Sequence, residues 1–103
     1  MSVLMEFSMF PLDGDESKST SVAKVIKMIQ ESGHIYKLTA MSTIVETSTI
    51  QEALALVEKA YCCLETCERI YASVNFDIRQ KRKNGIHQKI ISVQKKLDAP
   101  INV

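Results

Sequence analysis

The stretch Ile70 to Arg79 constrains the fold more than any other part of the chain. Apolar Ile70, Ala72, Val74, Phe76 and Ile78 alternate with Tyr71, Ser73, Asn75, Asp77 and Arg79 without a break. A period of two belongs to a strand whose faces meet different surroundings. A slip of one residue would turn the whole second set inward, so the register is fixed. The chain must therefore build a sheet with one apolar and one polar face.

The rest of the chain supplies partners for that strand. Val3 to Phe10 reads as a strand, with Met5, Phe7 and Met9 alternating with Glu6 and Ser8, and Pro11 ends it. Leu12 to Ser19 is a turn-rich loop containing Asp13, Gly14 and Asp15. Ser17 or Ser19 is placed to cap a helix, whose stripe is Val22, Val25, Ile26 and Ile29 and whose terminator is Gly33. Ile35 to Met41 reads as a second strand and Ser42 to Glu46 as a third, joined by a tight turn or bulge near Met41 and Ser42. A second helix opens at Thr47 to Thr49, where Thr49 and Glu52 have capping-box spacing. Ile50, Ala53, Leu54, Val57, Ala60, Tyr61 and Leu64 then hold a helical rhythm. After the basic loop Gln80 to Gly85, a last helix runs from about Ile86 to Leu97 with Ile86, Ile90, Val93 and Leu97 inward.

The order β-α-β-β-α-β-α begins with the split βαβ arrangement. The expectation is an α+β, ferredoxin-like antiparallel sheet with an extra C-terminal helix. It forms one domain over residues 1–98, followed by a short tail, 99–103. Right-handed crossovers place both connecting helices on one face of the sheet. The other face is expected to stay open and to carry Glu6, Ser8, Lys37, Thr39, Tyr71, Ser73, Asn75 and Asp77. Tyr71, Phe10 and Met41 suit open solvent poorly, so this face reads as a subunit interface or a ligand platform.

Charge excludes several functions. The net charge is +1, which gives no general attraction to nucleic acid or anionic membrane. The basic run Arg79, Lys81, Arg82 and Lys83 reads as a surface loop, with contact to phosphate groups as the alternative. An RNA-binding sheet of this topology stacks bases on aromatics in its central strands, and Thr43 to Glu46 contains none. No apolar run approaches the roughly 18 residues of a membrane span. Met1 to Phe10 carries Glu6 and lacks a basic start and a cleavage site, so no signal peptide is expected. Cys62, Cys63 and Cys67 lie in one helical stretch, which points to reduced thiols and a cytoplasmic protein rather than a disulfide framework. No His or further Cys completes a zinc site with them, so no metal is expected.

No catalytic group stands out. Glu46 and Asp77 close the third and fourth strands and are placed to accept from an amine or balance a cation, or else are solvated acids. Neither has a His or a nucleophile beside it in the pattern. Tyr71 and Arg79 are the only other candidates for chemistry in the sheet, and no base is paired with them. Ser17, Ser19, Thr20 and Ser21 precede or open a helix. They read as capping residues, with weak anion binding at Ser19 and Ser21 as the alternative.

Four segments taken together resemble the small thiamine-binding protein family. They are Glu6-Phe7-Ser8-Met9-Phe10-Pro11-Leu12, Ser19-Thr20-Ser21-Val22, Ala40-Met41-Ser42-Thr43-Ile44-Val45-Glu46, and Phe76-Asp77-Ile78-Arg79 with its basic loop and terminal helix. The resemblance implies a ferredoxin-like domain that assembles as dimers or tetramers through sheet faces or edges. It implies binding of thiamine or its hydroxymethylpyrimidine moiety as a ligand, with no catalytic cofactor. By carry-over, Thr43 and Glu46 belong to the binding motif and Ser8 and Asp77 neighbour it; an apolar group such as Met41 or Phe10 is suited to stack on the ring. Ser42 stands where the family has glycine. The alternative is a regulatory module of the ACT type binding another small metabolite at a subunit interface.

Overall fold

The structure is a computed structural model that describes residues 1–13, 18–81, 83–97 and 100–101. The elements are β1 (Ser2–Pro11), α1 (Lys18–Ser32), β2 (Ile35–Leu38), β3 (Thr43–Thr47), α2 (Ile50–Leu64), β4 (Ile70–Arg79) and α3 (Gly85–Leu97). The expected order is observed. The sheet is antiparallel with strand order β2-β3-β1-β4. Gly14, Asp15, Ser17, Arg82 and most of the 99–103 tail, all named above, lie outside the described residues.

Alternation along β1 sorts the molecule into two sides. Val3, Met5, Phe7 and Met9 point to α1 and α2 and are buried. They join Val45, Val25, Ile29, Ala53, Leu56, Ala60 and Leu64 in one core. Thr49 caps α2 as its spacing predicts, its hydroxyl accepting from the Glu52 amide at 3.1 Å. Gly33, with φ +81°, closes α1 in the left-handed conformation that a glycine adopts without strain.

Three expectations change. The third strand begins at Thr43 and the second ends at Leu38, because Thr39 to Ser42 fold into a turn. Thr39 builds that turn: its amide and its hydroxyl both donate to the Ser42 carbonyl at 2.9 Å. The same hydroxyl accepts from the Met41 and Ser42 amides.

The outer face is also not fully open. The first turn of α3 lies over it, with Gly85 and Ile86 donating their amides to the Glu46 carboxylate at 2.9 and 3.2 Å. A carboxylate draws a helix N-terminus because its first amides lack partners. Within α3, Ile86, Ile90 and Gln94 are half-buried, a four-residue spacing that rotates Val93 and Leu97 into solvent. Leu97 is 61% exposed, against the expected inward position. The strand Ile70–Arg79 has the predicted phase but lies at the sheet edge, so Phe76 and Ile78 are only partly covered.

Candidate functional site

Short β3 creates the site. The ladder between β1 and β3 runs from Val3↔Thr47 to Phe7↔Thr43 and stops there. β1 continues to Pro11, held on its other side by β4 through Pro11↔Ile70. Beyond Phe7 the chain leaves β3 for the turn at 39–42, which is linked to β1 where the Ser8 hydroxyl donates to the Met41 carbonyl at 3.1 Å.

Two openings flank this turn. The larger, about 710 Å³, lies between α1 and the turn. Its floor is Phe7, Met9 and Thr43, its α1 wall includes Val22, Ile26 and Lys27, and its rim carries Ser8, Thr39, Met41 and Ser42. Lys27 is the only charged side chain among its described lining residues. The smaller, about 280 Å³, opens on the outer face between Glu6, Ser8, Met41, Ser42, Ser73 and Asn75. Register puts Asn75 opposite Glu6 and Ser73 opposite Ser8. The Ser42 hydroxyl donates to Glu6 Oε2 at 3.1 Å. Ser8, Phe7, Met41 and Ser42 line both openings.

Four of the residues singled out in the sequence therefore converge: Ser8, Met41, Ser42 and Thr43. Thr43 is buried on the inner face, while Met41 is 87% exposed at the tip of the turn. Glu46 and Asp77 stand apart. They flank Leu4 in one row of the outer face and line neither opening. Glu46 accepts from the amides at the start of α3 and from the buried Ser2 hydroxyl at 2.6 Å, and so anchors a helix. Asp77 lies 3.9 Å from the Arg79 guanidinium. The two serines proposed for an anion separate: Ser19 rims the larger opening, whereas Ser21 is buried in the interior.

The sequence reading missed the site roles of Glu6, Ser73 and Asn75, although alternation had put all three on the outer face. It also missed Thr39, whose signal was a hydroxyl residue three positions before Ser42 in a chain reversal. Tyr71 packs its ring against Phe10, with centroids 5.8 Å apart. The cysteines are free, and no metal-ligating cluster of three side chains occurs among the described residues.

Asp13 fixes the end of β1. Its carboxylate accepts from the Arg69 amide at 2.7 Å and the Glu68 amide at 3.0 Å. These bonds, that from Arg69 foremost, hold its pKa below the ordinary carboxylate value. No helix among the described residues is long and apolar enough to cross a membrane.

Comparison with known proteins gives a consistent picture. A UPF0045 protein of Mycobacterium bovis is 31% identical over 101 residues, covering 97% of this chain and 99% of the relative. An uncharacterised protein of Methanocaldococcus jannascii superposes with a TM-score of 0.78 at 26% identity, covering 91% of this chain and 97% of that one. A Thermotoga maritima protein, proposed by its describers to act in thiamine biosynthesis or salvage, shares the fold. Its TM-score is 0.76 at 17% identity, with 90% of this chain and 99% of that one covered. The family model described as "Thiamine-binding protein" matches residues 5–94.

Proposed function

The chain belongs to the thiamine-binding protein family, and from that membership we propose that it binds thiamine, or its hydroxymethylpyrimidine half, without turning it over. The opening between α1 and the 39–42 turn receives the aromatic ring. The observation that carries this reading is the convergence of Ser8, Met41, Ser42 and Thr43 on one mostly apolar cavity large enough for a small ligand. Apolar walls suit a ring, and the rim hydroxyls supply the few polar contacts that orient it. Glu6, on the adjoining outer opening, is the acid placed for the cationic thiazolium.

Binding without catalysis is favoured because no nucleophile–base pair occurs among the described residues lining either opening. The protein works in the cytoplasm, as its free thiols favour. It self-associates as a dimer or tetramer through the β4 edge and the exposed parts of the sheet. Partly uncovered Phe76, Ile78 and Tyr71 support that assembly.

Isothermal calorimetry with thiamine and with hydroxymethylpyrimidine tests the function. Saturable heat with either supports it. Absence of heat, together with no thermal shift at millimolar ligand, overturns it. An amino-acid panel in the same thermal-shift assay checks for a regulatory module of the ACT type.

A further inference from the structure

We propose that the main-chain N–H and C=O of Met9 read the donor–acceptor edge of a planar nitrogen heterocycle, occupying the place that β3 leaves open. The inference rests on the binding site proposed above and adds what recognises the ligand there.

The phase of the ladders identifies the groups. The Leu12 amide donates to the Arg69 carbonyl at 2.8 Å, continuing the β1–β4 register. In an antiparallel pair, residues exchanging hydrogen bonds recur every second position. Even-numbered residues of β1 therefore turn their main chain to β4, and odd-numbered ones turn theirs to β3. Val3, Met5 and Phe7 meet Thr47, Val45 and Thr43. Met9 is next in that series and has no β3 residue opposite it. Pro11 follows, and it has no N–H to leave unmet.

Met9 thus presents one donor and one acceptor, side by side and pointing the same way, in the wall of the larger cavity. Main-chain polar groups require a partner. In a β ladder the partner is an extended residue offering the reverse pair. A ring with an amine beside an unsubstituted ring nitrogen offers the same reverse pair: the amine donates to the Met9 carbonyl and the ring nitrogen accepts from the Met9 amide. The apolar side chains around the opening then cover the ring faces. The ligand class follows as amino-heterocycles with this edge, and rings whose edge is substituted or deaminated are rejected. Because the reader is main chain, side-chain replacement at Met9 leaves it in place.

The test is an NMR titration of the wild-type protein, with calorimetry alongside. The probes are hydroxymethylpyrimidine, its deaminated analogue, cytosine and adenine. On saturation with hydroxymethylpyrimidine, the Met9 amide proton moves downfield and its exchange slows by about tenfold or more, while the already paired Met5 amide is unchanged. The deaminated analogue, in which hydrogen replaces the amine and the ring nitrogen still accepts, binds about tenfold more weakly, the loss expected for one neutral hydrogen bond. If hydroxymethylpyrimidine binds by calorimetry but the Met9 amide does not respond, or if the deaminated analogue binds equally well, the inference is overturned and the binding function stands. If cytosine or adenine binds with the Met9 signature while thiamine and hydroxymethylpyrimidine do not, the inference stands and the thiamine reading falls. Failure of every probe to bind overturns both.

Discussion

Replacing Glu46 with alanine should release α3 from the sheet while leaving the rest of the fold intact. Glu46 accepts from the Ser2 hydroxyl and from the Gly85 and Ile86 amides, at 2.6, 2.9 and 3.2 Å. Hydrogen bonds to a charged group contribute about 1.5–3 kcal/mol each, and the helix N-terminus adds a favourable dipole term. The site is only half-buried, so water recovers much of this once α3 detaches. A net loss of about 2–4 kcal/mol is expected. Little else holds α3, since none of its residues is fully buried. A free helix of 13 residues is marginal in water. Native-state hydrogen exchange reads the effect. Protection at the Ile90 and Ile91 amides should fall by about thirtyfold or more, the equivalent of about 2 kcal/mol, with the Met5 amide unaffected. Glu46→Gln keeps one acceptor without the charge and should give about half the loss. Thiamine affinity should change little in Glu46→Gln, because Glu46 lines neither opening. Unchanged α3 protection in Glu46→Ala would refute the anchoring role, and so would a fall of the core amides in step with α3.

Asp13 should make part of the stability acid-sensitive. Its folded pKa is lowered, so its contribution is complete above the ordinary carboxylate range, about pH 4, and is lost as pH falls through the lowered folded value. Urea melts from pH 3 to 7 should show Asp13→Asn less stable than wild type at neutral pH, with the gap closing as pH drops. Met5→Ala should cost about 2–5 kcal/mol in chemical denaturation, because Met5 is fully buried between Val45 and Phe76. Thr49→Ala should cost about 1 kcal/mol through loss of the α2 cap, read as a lower thermal midpoint with an unchanged m-value.

The fold was legible because its periodic signals agreed. β1, α2 and β4 each carried several turns or pleats of consistent pattern, and a crossover rule then arranged them. What alternation did not carry was the layer each face would meet. Ile70 to Ile78 has the pattern of a half-buried strand anywhere in a sheet, and only strand order makes it an edge. In α3, Ile86, Ile90, Val93 and Leu97 form one stripe in sequence. The helix instead docks on Ile86, Ile90 and Gln94 because the Glu46 anchor sets its entry. That anchor joins residues 39 and 40 positions apart, a separation no local pattern encodes.

The site was legible where motif and turn coincide and not elsewhere. Met41, Ser42 and Thr43 are neighbours in sequence, and β1 brings Ser8 to them because β3 ends at Thr43. Glu46, in the same motif, is carried one strand row after another to the opposite end of the ladder. Three residues beyond Thr43 at about 3.4 Å per residue is about 10 Å, and the parity of a strand turns it to the other face. A carboxylate so placed serves the sheet end and α3, while Glu6, in the row next to Ser8, serves the opening. Which acid borders an opening is thus decided by register, a property of paired strands that one strand's sequence does not contain. The same register sets the reach of the protein's own main chain. By ending at Thr43, β3 leaves the last four residues of β1, Ser8 to Pro11, without a ladder partner on that side, and Met9 among them lines the larger opening.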